Sequence, residues 1–189
     1  MKKQIANVLA NRYASAELVD LWSAETKIIL ERQLWIAVLK AQRDLGVDVP
    51  AEAIAAYENV IGKVDLESIA NREKITRHDV KARIEEFNAL AGYEQVHKGM
   101  TSRDLTENVE QLQVYRSLEL IRTKAITVAL RIAERAAEYD TLVMAGRSHN
   151  VAAQATTLGK RFASAAEELL VAIERIENLI ERYPLRGIK

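Results

Sequence analysis

The chain has 189 residues, of which 49% are hydrophobic, so it carries enough apolar side chains to build a buried core. Lys plus Arg and Asp plus Glu both number 27, and this balance removes the usual electrostatic drive towards nucleic acid or an anionic membrane. The chain has no cysteine, which excludes disulfides and thiolate metal sites. It also has no secretory signal and no run of about eighteen apolar residues, so we expect a cytoplasmic protein without membrane spans.

Apolar residues recur at helical spacing and the chain has only 7 Gly and 2 Pro, so the sequence predicts an all-α fold. The first long helix is expected over residues 23–45. Ser23 suits its N-cap and Gly46 its stop. The charged residues Glu31, Arg32, Lys40 and Arg43 fall largely off the apolar stripe of this helix.

Shorter helices are expected next along the chain. Pro50 is suited to the first turn of one that reaches about Ile61, and Asp65 to the cap of another. The residues Thr76–Asp79 fit a capping box that opens a third, and Gly92 ends it. Residues 92–100 then form a turn-rich connector.

Two long helices follow. A second capping box at Thr101–Asp104 precedes a helix over Leu105–Tyr139, whose apolar residues cover so much of its circumference that other helices must surround it. Another helix is expected over Thr156–Tyr183, antiparallel to the first and ended by Pro184. The intervening residues Thr141–Ala155 are interpreted as a loop.

These patterns divide the chain into a small helical domain, residues 1–100, and the first part of a long-helix bundle, residues 101–189. Two long helices alone bury too little apolar surface to form a bundle. We therefore expect further helices, from more chain or from symmetry-related copies, to complete it.

His149 is the strongest candidate for proton transfer. It lies in the polar cluster Gly146–Asn150 between two apolar stretches, and imidazole exchanges protons near neutral pH. The alternative is a loop histidine that only hydrogen-bonds a backbone carbonyl. His97 receives no more than such a structural interpretation.

Two clusters are candidates for anion binding. Arg77, His78 and Asp79 lie at a predicted helix start, where a cation and free N–H groups favour phosphate or carboxylate. The alternative is a surface capping box. Thr101 and Ser102 are likewise able to hold a carboxylate or merely to cap the long helix.

Arg12 and Tyr13 pair a cation with an aromatic ring ahead of the first long helix. Such a pair can grip a phosphate and a flat base together, although the combination is common in proteins. No metal-ligand, Walker or Rossmann signature is present, so we expect neither a metal nor another cofactor.

Four motifs carry these candidates in order along the chain: Arg12–Ser15, Arg77–Val80, Thr101–Asn108, and Gly146–His149 followed by Gln154–Lys160. Together they resemble the adenylosuccinate lyase family, a branch of the fumarase/aspartase superfamily. The Thr-Ser and Ser/Thr-His motifs are shared across that superfamily. The Arg-Tyr and Arg-His-Asp motifs favour the adenylosuccinate branch over argininosuccinate lyase or fumarase.

The resemblance implies an all-α lyase that eliminates fumarate from adenylosuccinate, giving AMP, and from the succinyl-carboxamide intermediate of purine biosynthesis. It implies a nucleotide substrate, no cofactor, and a homotetramer whose active sites are shared between subunits. In this family His149 matches the general acid, and Thr101 and Ser102 match groups that hold the succinyl carboxylates. The positions that match nucleotide-binding residues are Arg12, Tyr13, Arg77, His78 and Asp79.

The chain departs from the family pattern in two places. Ser148 replaces a threonine before the catalytic histidine, which keeps the hydroxyl. The Ser-Ser-x-Met-Pro loop that carries the catalytic base is absent, because the only prolines are Pro50 and Pro184. We therefore expect an amino-terminal segment that is inactive alone; the alternative is a non-catalytic helical oligomerisation module from the same superfamily.

Overall fold

The computed structural model describes residues 7–184. Within that range the chain forms eight helices and one two-stranded antiparallel sheet. In chain order the elements are α1 (Val8–Arg12), α2 (Ala16–Leu21), α3 (Ala24–Asp44), α4 (Ala51–Val60), α5 (Leu66–Thr76), α6 (Asp79–Ala91), α7 (Ser102–Glu138), β1 (Val143–Ser148), β2 (Val151–Thr157) and α8 (Leu158–Glu181). The fold is therefore all-α apart from the small sheet, as the sequence predicts.

The described residues form two compact units. The first reaches Val114 and the second covers Tyr115–Pro184, so the division falls inside α7 and not at residue 100. The assignment of residues 1–100 and 101–189 to functional domains stays a prediction. No helix within residues 7–184 is long and apolar enough to cross a membrane.

Aromatic side chains form the centre of the first unit. Trp35 of α3 stacks on Phe87 of α6 with their ring centroids 6.1 Å apart, and Tyr57 of α4 lies 4.8 Å from the same ring. All three are buried, and burial of each large apolar side chain stabilises the fold by about 1.5–3 kcal/mol. The Tyr57 hydroxyl also donates to the Asn88 side chain at 2.6 Å, so its polar end is satisfied.

A buried cation lies beside this core. The Arg32 guanidinium donates to Glu86 at 2.5 Å and to the carbonyls of Val60 at 3.1 Å and Ile61 at 2.8 Å. It also lies 4.7 Å from the centre of the Phe87 ring. Arg32 is thus buried although it falls off the apolar stripe of α3, and these acceptors replace the water that the side chain loses.

Local signals set several helix ends as predicted. The Ser23 hydroxyl accepts the Thr26 N–H at 3.1 Å, and the Asp65 carboxylate accepts the Ser68 N–H at 2.9 Å. Past the end of α6, Gly92 takes a left-handed φ of 74°, which releases the chain from the helix.

In the second unit α7 and α8 run antiparallel. The ring of Tyr115, near the start of this part of α7, lies 6.2 Å from that of Tyr183 after α8, and Tyr139 lies 6.2 Å from Phe162 near the start of α8. The Gly159 N–H donates to the Tyr139 carbonyl at 2.8 Å, which ties the start of α8 to the end of α7.

The predicted loop over Thr141–Ala155 is instead the hairpin β1–β2, and α8 begins at Leu158 and not at Thr156. His149 and Asn150 form the turn with φ values of 50° and 64°. Two consecutive positive φ values match the twist of paired strands, as in type I′ hairpin turns. The interpretation as a loop was wrong because these small, weakly alternating residues lack a clear strand pattern.

Candidate functional site

The turn between α5 and α6 carries the Arg-His-Asp motif. The α5 helix runs through Thr76, and Arg77 follows it in the left-handed conformation with φ 52°. His78 is then the N-cap of α6, where its Nδ1 accepts the Lys81 N–H at 3.3 Å. The capping role expected of Thr76 therefore belongs to His78, and this cap holds the imidazole in a defined orientation.

The same imidazole reaches the Thr-Ser motif. His78 Nε2 lies 3.4 Å from the Ser102 hydroxyl at the start of α7. Because Nδ1 already accepts a hydrogen bond, the neutral ring carries its proton on Nε2 and donates it to Ser102. The neighbouring Thr101 N–H donates to the Asp104 side chain at 2.7 Å, which is one of the two hydrogen bonds of a capping box.

This part of the first unit suits a small anion. Half of the His78 side chain is exposed, Arg77 beside it is exposed, and Ser102 opens a 37-residue helix. Free N–H groups and the helix dipole at such a terminus favour negative charge. The cation, the imidazole and the hydroxyl are thus able to bind phosphate or carboxylate oxygens.

A charged cluster extends from this site into the protein. The Asp79 carboxylate lies 3.5 Å from His78 Nδ1, and it pairs with the guanidinium of Arg83. Arg83 also donates to Glu31 of α3 at 2.7 Å. The sequence did not indicate Arg83 or Glu31 as members of this cluster, because a charged residue within an amphipathic helix usually indicates its solvated face.

Glu31 is fully buried, although it falls off the apolar stripe of α3. Burial raises the pKa of its carboxyl from 4.5 to about 6, although the charges of Arg83 and Lys27 act in the opposite direction. Desolvation therefore outweighs the attraction of the nearby cations at this position.

His97 was given only a structural interpretation, and the structure adds detail to it. Trp35 donates its indole N–H to His97 Nδ1 at 3.0 Å, and the residue has a φ of 72°. Burial lowers the pKa of the imidazole, Asp104 opposes that shift, and His78 reinforces it. His97 is thus close enough to the site for the charges of Asp104 and His78 to shift its pKa. The feature of the sequence that could have indicated this proximity is its position four residues before Thr101.

The remaining candidates occupy exposed positions. Arg12 is the last residue of α1, and the Tyr13 side chain that follows is 74% exposed. In the second unit His149 is exposed at the turn of the hairpin, where Arg147 donates to the carbonyl of Asn150 at 3.0 Å. Direct contacts therefore join His78, Asp79 and Ser102, whereas Arg12, Tyr13 and His149 are individual exposed side chains within their own units.

No cluster of three or more His, Asp or Glu side chains in residues 7–184 is arranged to hold a metal ion.

Comparison with known proteins places the chain among lyases. A family model described as Lyase matches residues 9–188. The chain is 33% identical over 180 residues to adenylosuccinate lyase of Schistosoma mansoni and 34% identical over 188 residues to that of Saccharomyces cerevisiae. These alignments cover 94% and 96% of the chain but only 37% and 39% of the two relatives, so the chain spans about two-fifths of their length.

Solved structures share the fold. A 3-carboxy-cis,cis-muconate lactonizing enzyme from Pseudomonas putida superposes with a TM-score of 0.82 at 20% identity, over 93% of this chain and 42% of that one. A fumarate lyase from Mesorhizobium sp. BNC1 superposes with a TM-score of 0.78 at 25% identity, over 88% and 40%. The fold is thus that of fumarase/aspartase-type lyases.

Proposed function

Because the chain belongs to the lyase family whose model matches residues 9–188, we propose that it works within an adenylosuccinate lyase. That enzyme releases fumarate from adenylosuccinate, giving AMP, and from the succinyl-carboxamide intermediate of purine biosynthesis. The observation that best supports the proposal is the 3.4 Å contact between His78 and Ser102. It joins the motif typical of the adenylosuccinate branch to a motif shared by the whole superfamily.

The proposed reaction breaks a C–N bond. A base removes the proton on the carbon next to that bond, the electron pair forms the double bond of fumarate, and the departing nitrogen takes up a proton. His149 is the proposed donor of this proton, since imidazole protonates groups near neutral pH and its side chain is exposed on the hairpin turn.

The binding roles follow from charge and position. Thr101 and Ser102, at the start of α7, are proposed to hold the succinyl carboxylates, because a helix N-terminus favours anions. Arg77 and His78, with Asp79 oriented beside them, are proposed to bind the nucleotide. The exposed Arg12–Tyr13 pair is proposed to add a cation and a stacking ring.

We expect the 189 residues alone to leave adenylosuccinate uncleaved. They contain no Ser-Ser-x-Met-Pro motif to supply the base, and loss of one acid or base group typically costs about 10²–10⁴-fold in rate. Fumarate release is measured for this chain and for a full-length lyase that contains it. Equal turnover by the two would refute the proposed division of the catalytic groups.

The role of His149 is tested in the full-length lyase with His149→Asn. Asparagine tolerates the left-handed backbone of this turn and removes the imidazole, so folding effects are kept small. We expect kcat to fall about 10²–10⁴-fold, far more than KM rises, because the proton is needed in the transition state.

The matched control is Asn150→Gly, which changes the neighbouring turn residue, keeps the positive φ and leaves the imidazole in place. Its kcat should stay near that of the unmodified enzyme. An unchanged kcat in His149→Asn would assign His149 to structure alone.

A further inference from the structure

The buried pair of Glu31 and Arg83 in the first unit has no role in the proposed chemistry. Glu31 is fully buried on α3, and the Arg83 side chain on α6 is 10% exposed. Their contact is direct, with Arg83 Nη1 2.7 Å from Glu31 Oε1. Of the remaining charges near Glu31, Asp79 is on α6, and Lys27 is on α3, where it pairs with Glu110 of α7.

Arg83 divides its donors between an inner and an outer partner. Nη1 donates to Glu31, whereas Nη2 donates to the side chain of Asp79 and Nε donates to the Asp79 carbonyl at 3.3 Å. A planar guanidinium with fixed donor directions, held on one side, presents its other donors in a defined direction. Asp79 is thereby held through both its carboxylate and its backbone.

Stability alone does not explain this pair. Burying two charges costs free energy, and well-packed apolar residues of similar volume are often as stable or more stable. Glu31 Oε2 also has no hydrogen-bond partner among the described residues, so the carboxylate is incompletely satisfied. The free-energy cost of burying the Glu31–Arg83 pair is better explained by a role of the residue at the outer end of the cluster. That residue is Asp79, whose exposed carboxylate lies beside His78.

We infer that Glu31 and Arg83 are positioning residues of the lyase site. They fix the carboxylate of Asp79, a proposed nucleotide-binding group, at the start of α6 and 3.5 Å from His78. Neither positioning residue needs to touch the substrate. The inference rests on the proposed function for its effect on turnover, whereas the arrangement of side chains is testable without any substrate.

The central variant replaces the pair by apolar residues, Glu31→Leu with Arg83→Met. This double substitution removes both buried charges together, so neither is left unpaired and the fold should persist. Arg83→Lys is the second variant, since a lysine keeps the charge near Glu31 but cannot present the same fork of donors. The control is Lys40→Gln with Glu58→Gln, which removes an exposed 2.6 Å ion pair from the same unit.

Kinetics of the full-length lyase separate positioning from stability. A positioning role predicts that KM rises about tenfold in the central variant while kcat changes little, because ground-state and transition-state binding weaken together. A purely structural role instead reduces the fraction of folded enzyme, which lowers the apparent kcat and leaves KM unchanged. An unchanged KM in a folded central variant overturns the inference.

NMR of the chain itself gives a reading that does not depend on activity. In the unmodified chain, the Arg83 Nε–H and Asp79 carboxyl signals should shift in the same titration step in which the Glu31 carboxyl takes up its proton. The Asp79 carboxyl signal should also move in Arg83→Lys, and both signals should stay in place in the Lys40/Glu58 control. If the Arg83 and Asp79 signals of the unmodified chain do not change as Glu31 titrates, the inference fails, whether or not the variants fold. If the signals change with Glu31 but the full-length enzyme leaves adenylosuccinate uncleaved, only the proposed function fails.

Discussion

A methyl group added at Gly159 would have no room in the second unit. It would lie 2.6 Å from both the Cα and the N of Asp140, and closer still to the carbonyl oxygen of Ala136. All three are backbone atoms, in the last turn of α7 or just after it, and they cannot turn aside as a flexible side chain does. Gly159→Ala must therefore push the start of α8 away from α7 and stretch the 2.8 Å hydrogen bond to Tyr139.

The magnitude follows from two opposing effects. Overpacking a close contact costs about 1–3 kcal/mol of folding stability. Because the added methyl group would meet three backbone atoms, we place its cost at the upper end of that range. Alanine recovers about 1 kcal/mol over glycine through its better helix propensity. We expect Gly159→Ala to lower the free energy of unfolding by about 2 kcal/mol, which lowers the Tm of a chain of this length by roughly 4–8 °C.

Urea unfolding followed by far-UV circular dichroism measures the change. The matched control is Gly62→Ala, since no atom lies within 4 Å of a Cβ built at Gly62 and its φ is not positive. That substitution should leave stability unchanged or raise it by less than about 1 kcal/mol. Equal stability of Gly159→Ala and Gly62→Ala would refute the close approach of α8 to the end of α7.

Three further predictions concern charge, capping and association. The pKa of Glu31 is about 6 in the folded chain and 4.5 in its ordinary state, so the folded chain binds the carboxyl proton more tightly than the unfolded chain does. The free energy of unfolding should therefore fall by about 2 kcal/mol as pH rises from below 4.5 to above 6. Urea titrations at several pH values check this, and the Glu31 contribution should vanish in Glu31→Gln. Asp65→Ala should lower the free energy of unfolding by about 1 kcal/mol, because the Ser68 N–H loses its capping acceptor. Its control is Ser15→Ala, at an N-cap with no side-chain hydrogen bond, which should change the free energy of unfolding by less than about 0.5 kcal/mol in the same urea assay. The chain should self-associate as its concentration rises, because the second unit exposes many large apolar side chains. Sedimentation velocity tests this, and a strictly monomeric folded species would contradict the expectation that copies of the chain cover this apolar surface. The most exposed of these side chains are Leu130, Val143, Val151 and Leu170.

Much of the helical fold could be predicted because its signals are local. The caps at Ser23 and Asp65 and the stop at Gly92 each depend on residues within one turn of the helix end. The hairpin could not be predicted in the same way. Its strands are rich in alanine and depend on pairing across the turn at His149 and Asn150, which no periodicity within one strand records.

The candidate site was predictable in its parts and not in its connections. Residue types and the family resemblance singled out His78 and Ser102 separately, but only the fold brings their side chains to 3.4 Å. Glu31 and Arg83 gave no signal at all, since a buried ion pair between two helices has the same composition as a pair of solvated faces. Such clusters become visible only when both helices are placed.

Two candidate functional residues adopt a backbone conformation that lowers folding stability. Arg77 and His149 both have positive φ, a conformation that costs a residue with a side chain about 1–2 kcal/mol and costs glycine almost nothing. A library of variants selected for folding alone should therefore accumulate glycine at these two positions and lose a guanidinium and an imidazole. Selection for stability and selection for function would then drive the same two codons in opposite directions.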